Sequence, residues 1–144
     1  MNERRYLVDN NVLSKLTAAQ RTSEFFSENC RVSSEVLYEA RDYVEESVAD
    51  AELPTTAAVL RRLKEVMSAV DPGDTTLVDL YANKGAADPV MIAAALEEQA
   101  HENATLFPST WVIVTDDKAV ASTARRVGLK VMASTDFQAQ FPSR

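Results

Sequence analysis

The chain has 144 residues, of which 46% are hydrophobic, and this length suits a single globular domain over residues 1–144. Its formal net charge of −7 counts against a simple nucleic-acid-binding module, because an acidic chain repels nucleic acid at long range. The charge does not exclude a nuclease, since carboxylates that hold cations make a bare sequence look more acidic than the working site. No apolar run reaches the length of a membrane span, so no membrane partner is expected. The single cysteine, Cys30, permits no internal disulfide and predicts a cytoplasmic location.

The first third of the chain alternates short apolar runs with helical patterns. Residues 4–8 predict a first strand, and short helices are expected over about 12–20 and 22–28. Residues 30–33 predict a second strand. Apolar residues then recur at threes and fours, as one face of a helix requires, and predict one long helix over about 34–50.

The middle of the chain is predicted to be mainly helical. Thr55 or Thr56 is suited to cap a helix that runs to about residue 68, and a weakly marked edge strand is expected near 67–70. The Asp-Pro-Gly-Asp stretch at 71–74 predicts a turn, and a helix is expected over 75–82.

The last third contains the strongest strand pattern. A helix is expected over about 88–103, since proline is well placed in a first turn. Residues 110–115 are β-branched and apolar on both faces, as a strand buried between two helix layers should be. A helix to about residue 127, a strand over 129–132 and a short helical turn over 135–140 are expected to follow.

This order of elements predicts an α/β domain with three layers, α/β/α, around a small central parallel sheet. In open parallel sheets, ligands bind at the carboxyl ends of the strands. The residues that follow each strand are therefore the candidates for a functional site.

Acidic residues stand at several of these positions. Asp9 ends the first strand, although it is also suited to cap the next helix, as are the two asparagines after it. Glu39 lies about one turn into the helix that follows the second strand, with Glu35 one turn earlier as its rival. Asp88 is a natural helix cap that keeps a free oxygen for a cation.

Two adjacent acids, Asp116 and Asp117, end the strongest strand. Neighbouring side chains at a strand end point in different directions, so only one of the two is expected to face a site. Several carboxylates in one pocket would repel each other and shift their pKa values. Mg²⁺ or Mn²⁺ relieves that repulsion, and acidic pockets of this kind serve metal-assisted phosphoryl transfer.

Four short motifs, taken in order, resemble those of the PIN-domain nucleases, the fold of the VapC-type toxins of bacterial toxin–antitoxin pairs. They are LVDNNVL at 7–13, Val32-Ser33 with Glu39 six residues after the serine, ADPVMIAA at 87–94, and VTDD at 114–117. The resemblance covers nearly the whole chain. The chain departs from the family pattern at Asn10, where a small hydroxylated residue is usual, and at Lys118, where an aromatic residue often follows.

The resemblance implies a metal-dependent endoribonuclease that cuts RNA by attack of an activated water. It implies catalytic metal ligands for Mg²⁺ or Mn²⁺ at Asp9, Glu39, Asp88 and Asp117. It also implies a homodimer and a cognate antitoxin as protein partner.

Other residues are expected to assist this site. Asn11 and Thr115 would support it by hydrogen bonds, and Asp116 would take the variable position of the fourth motif. Basic residues near the motifs are candidates for contact with substrate phosphates: Lys15, Lys84, Lys118 and Arg125.

Two alternatives belong to other classes of protein. The domain would be a non-catalytic PIN-like binding module if it acts only through a protein partner. A flavodoxin-like phosphate-receiver domain also has acids at strand ends, but it requires a phosphorylatable Asp and a late-strand Lys, and no convincing pair is present.

Overall fold

The computed structural model describes residues 3–70 and 87–142. Within these ranges one parallel sheet has the strand order β3-β2-β1-β4-β5. The strands are β1 (Arg4–Val8), β2 (Cys30–Ser33), β3 (Glu52–Leu53), β4 (Thr110–Val114) and β5 (Lys130–Met132). The first strand is the middle of the sheet, which explains why Leu7 and Val8 at its end are fully buried.

Helices flank the sheet and complete the predicted three-layer α/β/α arrangement. They are α1 (Asn10–Leu13), α2 (Ala18–Arg21), α3 (Glu24–Asn29), α4 (Ser34–Glu39), a 3₁₀ helix (Glu46–Ala51), α5 (Ala57–Ser68), α6 (Ala87–Asn103), α7 (Lys118–Arg126) and α8 (Ser134–Gln138). On one face of the sheet, Tyr6 packs against Phe25 of α3 and Phe137 of α8, with ring centroids 6.0 and 5.3 Å away.

Helix α6 packs closely against the core. Its three consecutive alanines, Ala93, Ala94 and Ala95, are buried, so the helix can approach its neighbours without a bulky side chain between them. None of the helices in the described ranges is both long enough and apolar enough to cross a membrane.

The long helix predicted over 34–50 is wrong. Helix α4 ends at Glu39, the chain turns at the buried Ala40, and a separate 3₁₀ helix follows. The reason is tertiary: Arg21 donates two hydrogen bonds to Glu45, at 2.8 and 3.1 Å, and another to the Leu16 carbonyl at 2.6 Å. These bonds hold the turned segment, in which Val36, Ala40 and Val48 are still buried while Tyr43 is exposed.

Two smaller expectations also fail. The helix predicted over 12–20 is two short helices, because Thr17 and Gln20 form a capping box that starts a new one. The edge strand near 67–70 is wrong, since α5 continues to Ser68, and the edge strand is instead β3. The turn predicted over 71–74 and the helix over 75–82 lie outside the described residues.

Gly128 ends α7 with a left-handed backbone, at a φ of +89°. A Cβ at this position would meet no atom within 4 Å, so an added methyl group costs only backbone strain. We expect Gly128→Ala to lower the free energy of unfolding by about 1 kcal/mol in a denaturant titration. Gly128→Asn should cost less, since asparagine tolerates this conformation better. Equal stability of all three proteins would contradict the strain argument.

Candidate functional site

Asp9 lies directly after the central strand and is only 5% exposed. Its Oδ1 accepts a hydrogen bond from the Asn10 backbone N–H at 2.7 Å, which makes it the cap of α1. Its Oδ2 accepts from the Thr115 hydroxyl, also at 2.7 Å. Burial raises the pKa of Asp9, the two hydrogen bonds oppose that rise, and the charges of Asp117 and Asp116 add to it.

Thr115 joins the acids at the ends of β1 and β4. Besides its bond to Asp9, its hydroxyl oxygen accepts a hydrogen bond from the Asp117 backbone N–H at 3.1 Å. Asp117 in turn caps α7, because its Oδ1 accepts from the N–H groups of Ala119 and Val120 at 2.8 and 3.2 Å. Both capping bonds use one carboxylate oxygen, so the second oxygen lies outside the cap.

Glu39 is the last residue of α4 and is exposed. Partial burial and the charge of Asp9 raise the pKa of Glu39, and a hydrogen bond with the Asn10 side chain opposes the rise. The rival Glu35 instead accepts hydrogen bonds from the Thr55 hydroxyl, one of them at 2.8 Å. Of the two glutamates, Glu39 is therefore the one coupled to the acid at the end of β1.

Asp88 lies in the first turn of α6 and is half-buried. Burial, together with the charges of Asp9, Asp117 and Glu39 in that order, raises the pKa of Asp88 to about 7. A half-buried carboxyl that is repelled by three others identifies one shared electrostatic environment. We call Asp9, Glu39, Asp88 and Asp117 the acidic cluster, and its members come from four separate places in the chain.

Three further predicted residues connect the surrounding loops. The Asn11 side-chain oxygen accepts a hydrogen bond from the Asp116 backbone N–H at 3.2 Å. Asp116 accepts from Lys15 Nζ at 2.6 Å and from the Ser134 N–H at 2.8 Å, and these bonds hold the pKa of Asp116 well below its usual range. Lys15 therefore pairs with the Asp116 carboxylate, although the sequence predicts a contact with substrate phosphate.

The other phosphate-contact candidates lie elsewhere. Lys118 and Arg125, seven residues apart along α7, line a cleft of about 260 Å³ that also reaches Thr115 and Asp117. This placement puts two basic side chains in the same cleft as Asp117. Lys84 lies outside the described residues.

Sequence reasoning missed two residues of this region, Asn10 and Tyr43. The Tyr43 hydroxyl donates a hydrogen bond to the Asn10 side-chain oxygen, and the Asn10 side chain also acts to lower the pKa of Glu39. Burial raises the pKa of Tyr43, and the charges of Glu39 and Asp9 add to the rise. The only signal in the sequence was the unusual asparagine after Asp9, which had been weighed as a rival helix cap.

The acidic cluster fits a hard divalent cation in its chemistry. Its donors are all carboxylate oxygens, which Mg²⁺ and Mn²⁺ prefer, and the interactions that raise the pKa of Asp88 are burial and repulsion by acids. However, among residues 3–70 and 87–142 no group of three or more His, Cys, Asp or Glu side chains is arranged so that it could hold a metal ion. Repulsion between charges acts over longer distances than coordination, so acids can shift one another's pKa without being close enough to share a cation.

A larger cavity of about 360 Å³ lies against β1, β4 and β5, away from these acids. Its lining residues are Arg4, Thr110, Val112, Lys130, Val131 and Met132. It contains no acid or nucleophile, so its size does not make it the site of the chemistry.

The fold defines a class: a parallel α/β domain in which Asp9 and Asp117 follow two neighbouring strands, at the edge of the sheet where open sheets bind ligands. A comparison with protein-family models found no match for this chain, and a comparison with curated proteins found none either.

Proposed function

We propose that this domain is a metal-dependent endoribonuclease of the PIN type, which hydrolyses RNA phosphodiesters. One observation carries the proposal: the buried Asp9 at the end of the central strand is joined through the Thr115 hydroxyl to the Asp117 backbone, and burial with the neighbouring carboxylates raises the pKa of Asp88 to about 7. Such a concentration of like charge destabilises a fold, and proteins keep such charges mainly where a function requires them, so perturbed carboxyl groups are candidates for functional sites. A bound cation is the simplest group that would relieve the repulsion.

The proposed ligands are Asp9, Glu39, Asp88 and Asp117. A divalent cation bound there would supply Lewis acidity and lower the pKa of a coordinated water. Asp9 and Asp117 suit a fixed role, because Thr115 and the first turns of α1 and α7 hold their carboxylates in place. Glu39 is exposed and lies at a helix end, so it is free to move toward a cation.

The basic residues have a separate role in this proposal. Lys118 and Arg125 bind the phosphates of the RNA strand where it passes the cleft along α7. Their charges offset part of the repulsion between an acidic chain and RNA. The cognate antitoxin and the homodimer remain predictions from the resemblance.

Metal binding provides a test that does not depend on finding the substrate. We expect millimolar Mn²⁺ to raise the thermal midpoint of the protein by several degrees at pH 7.5, since a ligand that binds only the folded state stabilises it. The apparent affinity should fall as the pH drops from 7 to 6, because protons compete for Asp88, whose pKa is about 7.

Asp88→Asn should lose most of the Mn²⁺-dependent shift. Asp136→Asn is the matched control, because Asp136 also lies in the first turn of a helix but is exposed. If Mn²⁺ leaves the thermal midpoint of the unsubstituted protein unchanged, the acidic cluster is not a metal site. Cleavage of single-stranded RNA with and without Mg²⁺ then tests the reaction itself.

One observation favours the alternative, a non-catalytic PIN-like binding module. Within the described ranges no three acids are arranged to hold a metal ion. If Mn²⁺ neither binds nor supports cleavage, while the protein binds a partner through this edge of the sheet, the alternative is correct.

A further inference from the structure

Tyr43 is an exposed aromatic residue that the structure holds in a defined position. Its hydroxyl bonds Asn10, next to the acid at the end of β1, and the Arg21 guanidinium carbon lies 5.7 Å from its ring centroid. The residue is nevertheless 38% exposed. A partly exposed aromatic ring that is held in position is a surface on which a nucleobase can stack.

Arg21 also holds the segment that follows α4. It is half-buried and donates hydrogen bonds to both carboxylate oxygens of Glu45 and to the Leu16 carbonyl. The segment that carries Tyr43 is therefore attached close to the tyrosine, through the Glu45 side chain. A ring already ordered before binding loses little conformational entropy when a ligand stacks on it.

The net negative charge of the protein favours a way of binding RNA that does not depend on charge. With a net charge of −7, the protein cannot rely on electrostatic attraction to hold RNA. Stacking does not depend on charge and accepts every base, because every base has a π face.

We propose that Tyr43 binds a nucleobase of single-stranded RNA next to the acidic cluster and so sets the strand over the carboxylates. This inference rests on the proposed function for its substrate class. It assigns Tyr43 a role in substrate binding, separate from metal binding. A base paired in a duplex could not reach the ring, so the proposal restricts binding to unpaired RNA.

Tyr38 provides a matched control. It is 66% exposed, and Arg41 lies over its ring with the guanidinium carbon 3.9 Å from the centroid. Both tyrosines thus have an arginine at one face, but only Tyr43 is bonded to Asn10 beside the cluster. An effect that is specific to Tyr43 cannot come from exposed aromatic surface in general.

The test measures binding of a short fluorescent single-stranded RNA in the Asp88→Asn background, where cleavage is not expected. Tyr43→Ala should weaken binding about tenfold, the size of one base stack, and Tyr43→Phe should weaken it less because the ring remains and only the bond to Asn10 is lost. Tyr38→Ala should leave binding unchanged. A ribose-phosphate strand without bases should bind equally to the Tyr43→Ala protein and its parent. In the active protein, Tyr43→Ala should raise KM and change kcat little.

Equal binding of the base-containing RNA by the parent and Tyr43→Ala proteins would contradict the proposal that a nucleobase stacks on Tyr43. So would an equal loss with the strand that lacks bases, since that loss would be structural. Thermal midpoints show whether Tyr43→Ala is folded, and Tyr43→Phe keeps the ring while removing only the bond to Asn10. Base-dependent binding without cleavage by the unsubstituted protein would sink the proposed reaction and leave the role of Tyr43 intact.

Discussion

Asp88→Asn is expected to abolish Mg²⁺-dependent RNA cleavage, with a loss of about a thousandfold or more. Asparagine keeps the shape of the side chain and its place in the first turn of α6, but it removes one anionic oxygen from the acidic cluster. Under the proposed function, the cation then binds weakly and the charge that develops in the transition state is poorly stabilised. The measurement is cleavage of single-stranded RNA over time at saturating Mg²⁺.

Two further variants make this result interpretable. Asp9→Ala should also abolish cleavage, together with any growth arrest on expression, because Asp9 is buried at the centre of the cluster. Asp136→Asn should cleave normally, since it removes an exposed acid from another helix start. Full cleavage by Asp9→Ala or Asp88→Asn would sink the assignment of the cluster as a nuclease site.

Asp88→Asn is also expected to be more stable than the unsubstituted protein at pH 8 when metal is removed with a chelator. The pKa of Asp88 is raised from 3.8 to about 7 on folding, so between these values the folded state binds a proton that the unfolded state releases. The free energy of unfolding therefore falls as the pH rises from about 4 to 7, and the penalty is fully present above pH 7. The asparagine of the variant cannot titrate, so the free energy of unfolding of the variant does not show this fall with rising pH.

The expected gain is about 1–2 kcal/mol at pH 8 and close to zero at pH 4. It is smaller than the full pKa shift would give, because solvent screens a half-buried carboxylate and the helix N-terminus stabilises its charge. Urea titrations of both proteins at pH 4, 6 and 8 measure the difference. A gain that is the same at all three values would show that the repulsion among the acids is not its cause.

These two results would together separate function from structure. A residue that only caps a helix should lower stability when it is replaced, as Asp→Ala at a cap does. When a residue serves to bind a cation, a substitution that removes its charge should raise the stability of the metal-free protein and abolish its activity.

Local spacing predicted much of the fold. The central strand over 4–8, the second strand over 30–33 and the helix to Asn103 agree with the structure, because short apolar runs and helical periodicity report which residues must be buried. The helix over 34–50 failed for the same reason. Val36, Ala40 and Val48 are buried although the segment turns, and Arg21 of α2 holds the turned segment by its hydrogen bonds to Glu45.

The sequence by itself determined where the acids stand along the chain: Asp9 and Asp117 follow strands, Asp88 lies in the first turn of a helix, and Glu39 ends the short helix after β2. A parallel sheet brings residues that follow its strands to one edge. Only the tertiary structure decided how those acids are used. It placed Asp116 on Lys15 and Ser134, attached Glu35 to Thr55, and brought Asn10 and Tyr43 to the cluster. The physical reason is that hydrogen bonds and charge repulsion depend on distances between residues far apart in sequence, which no local pattern contains.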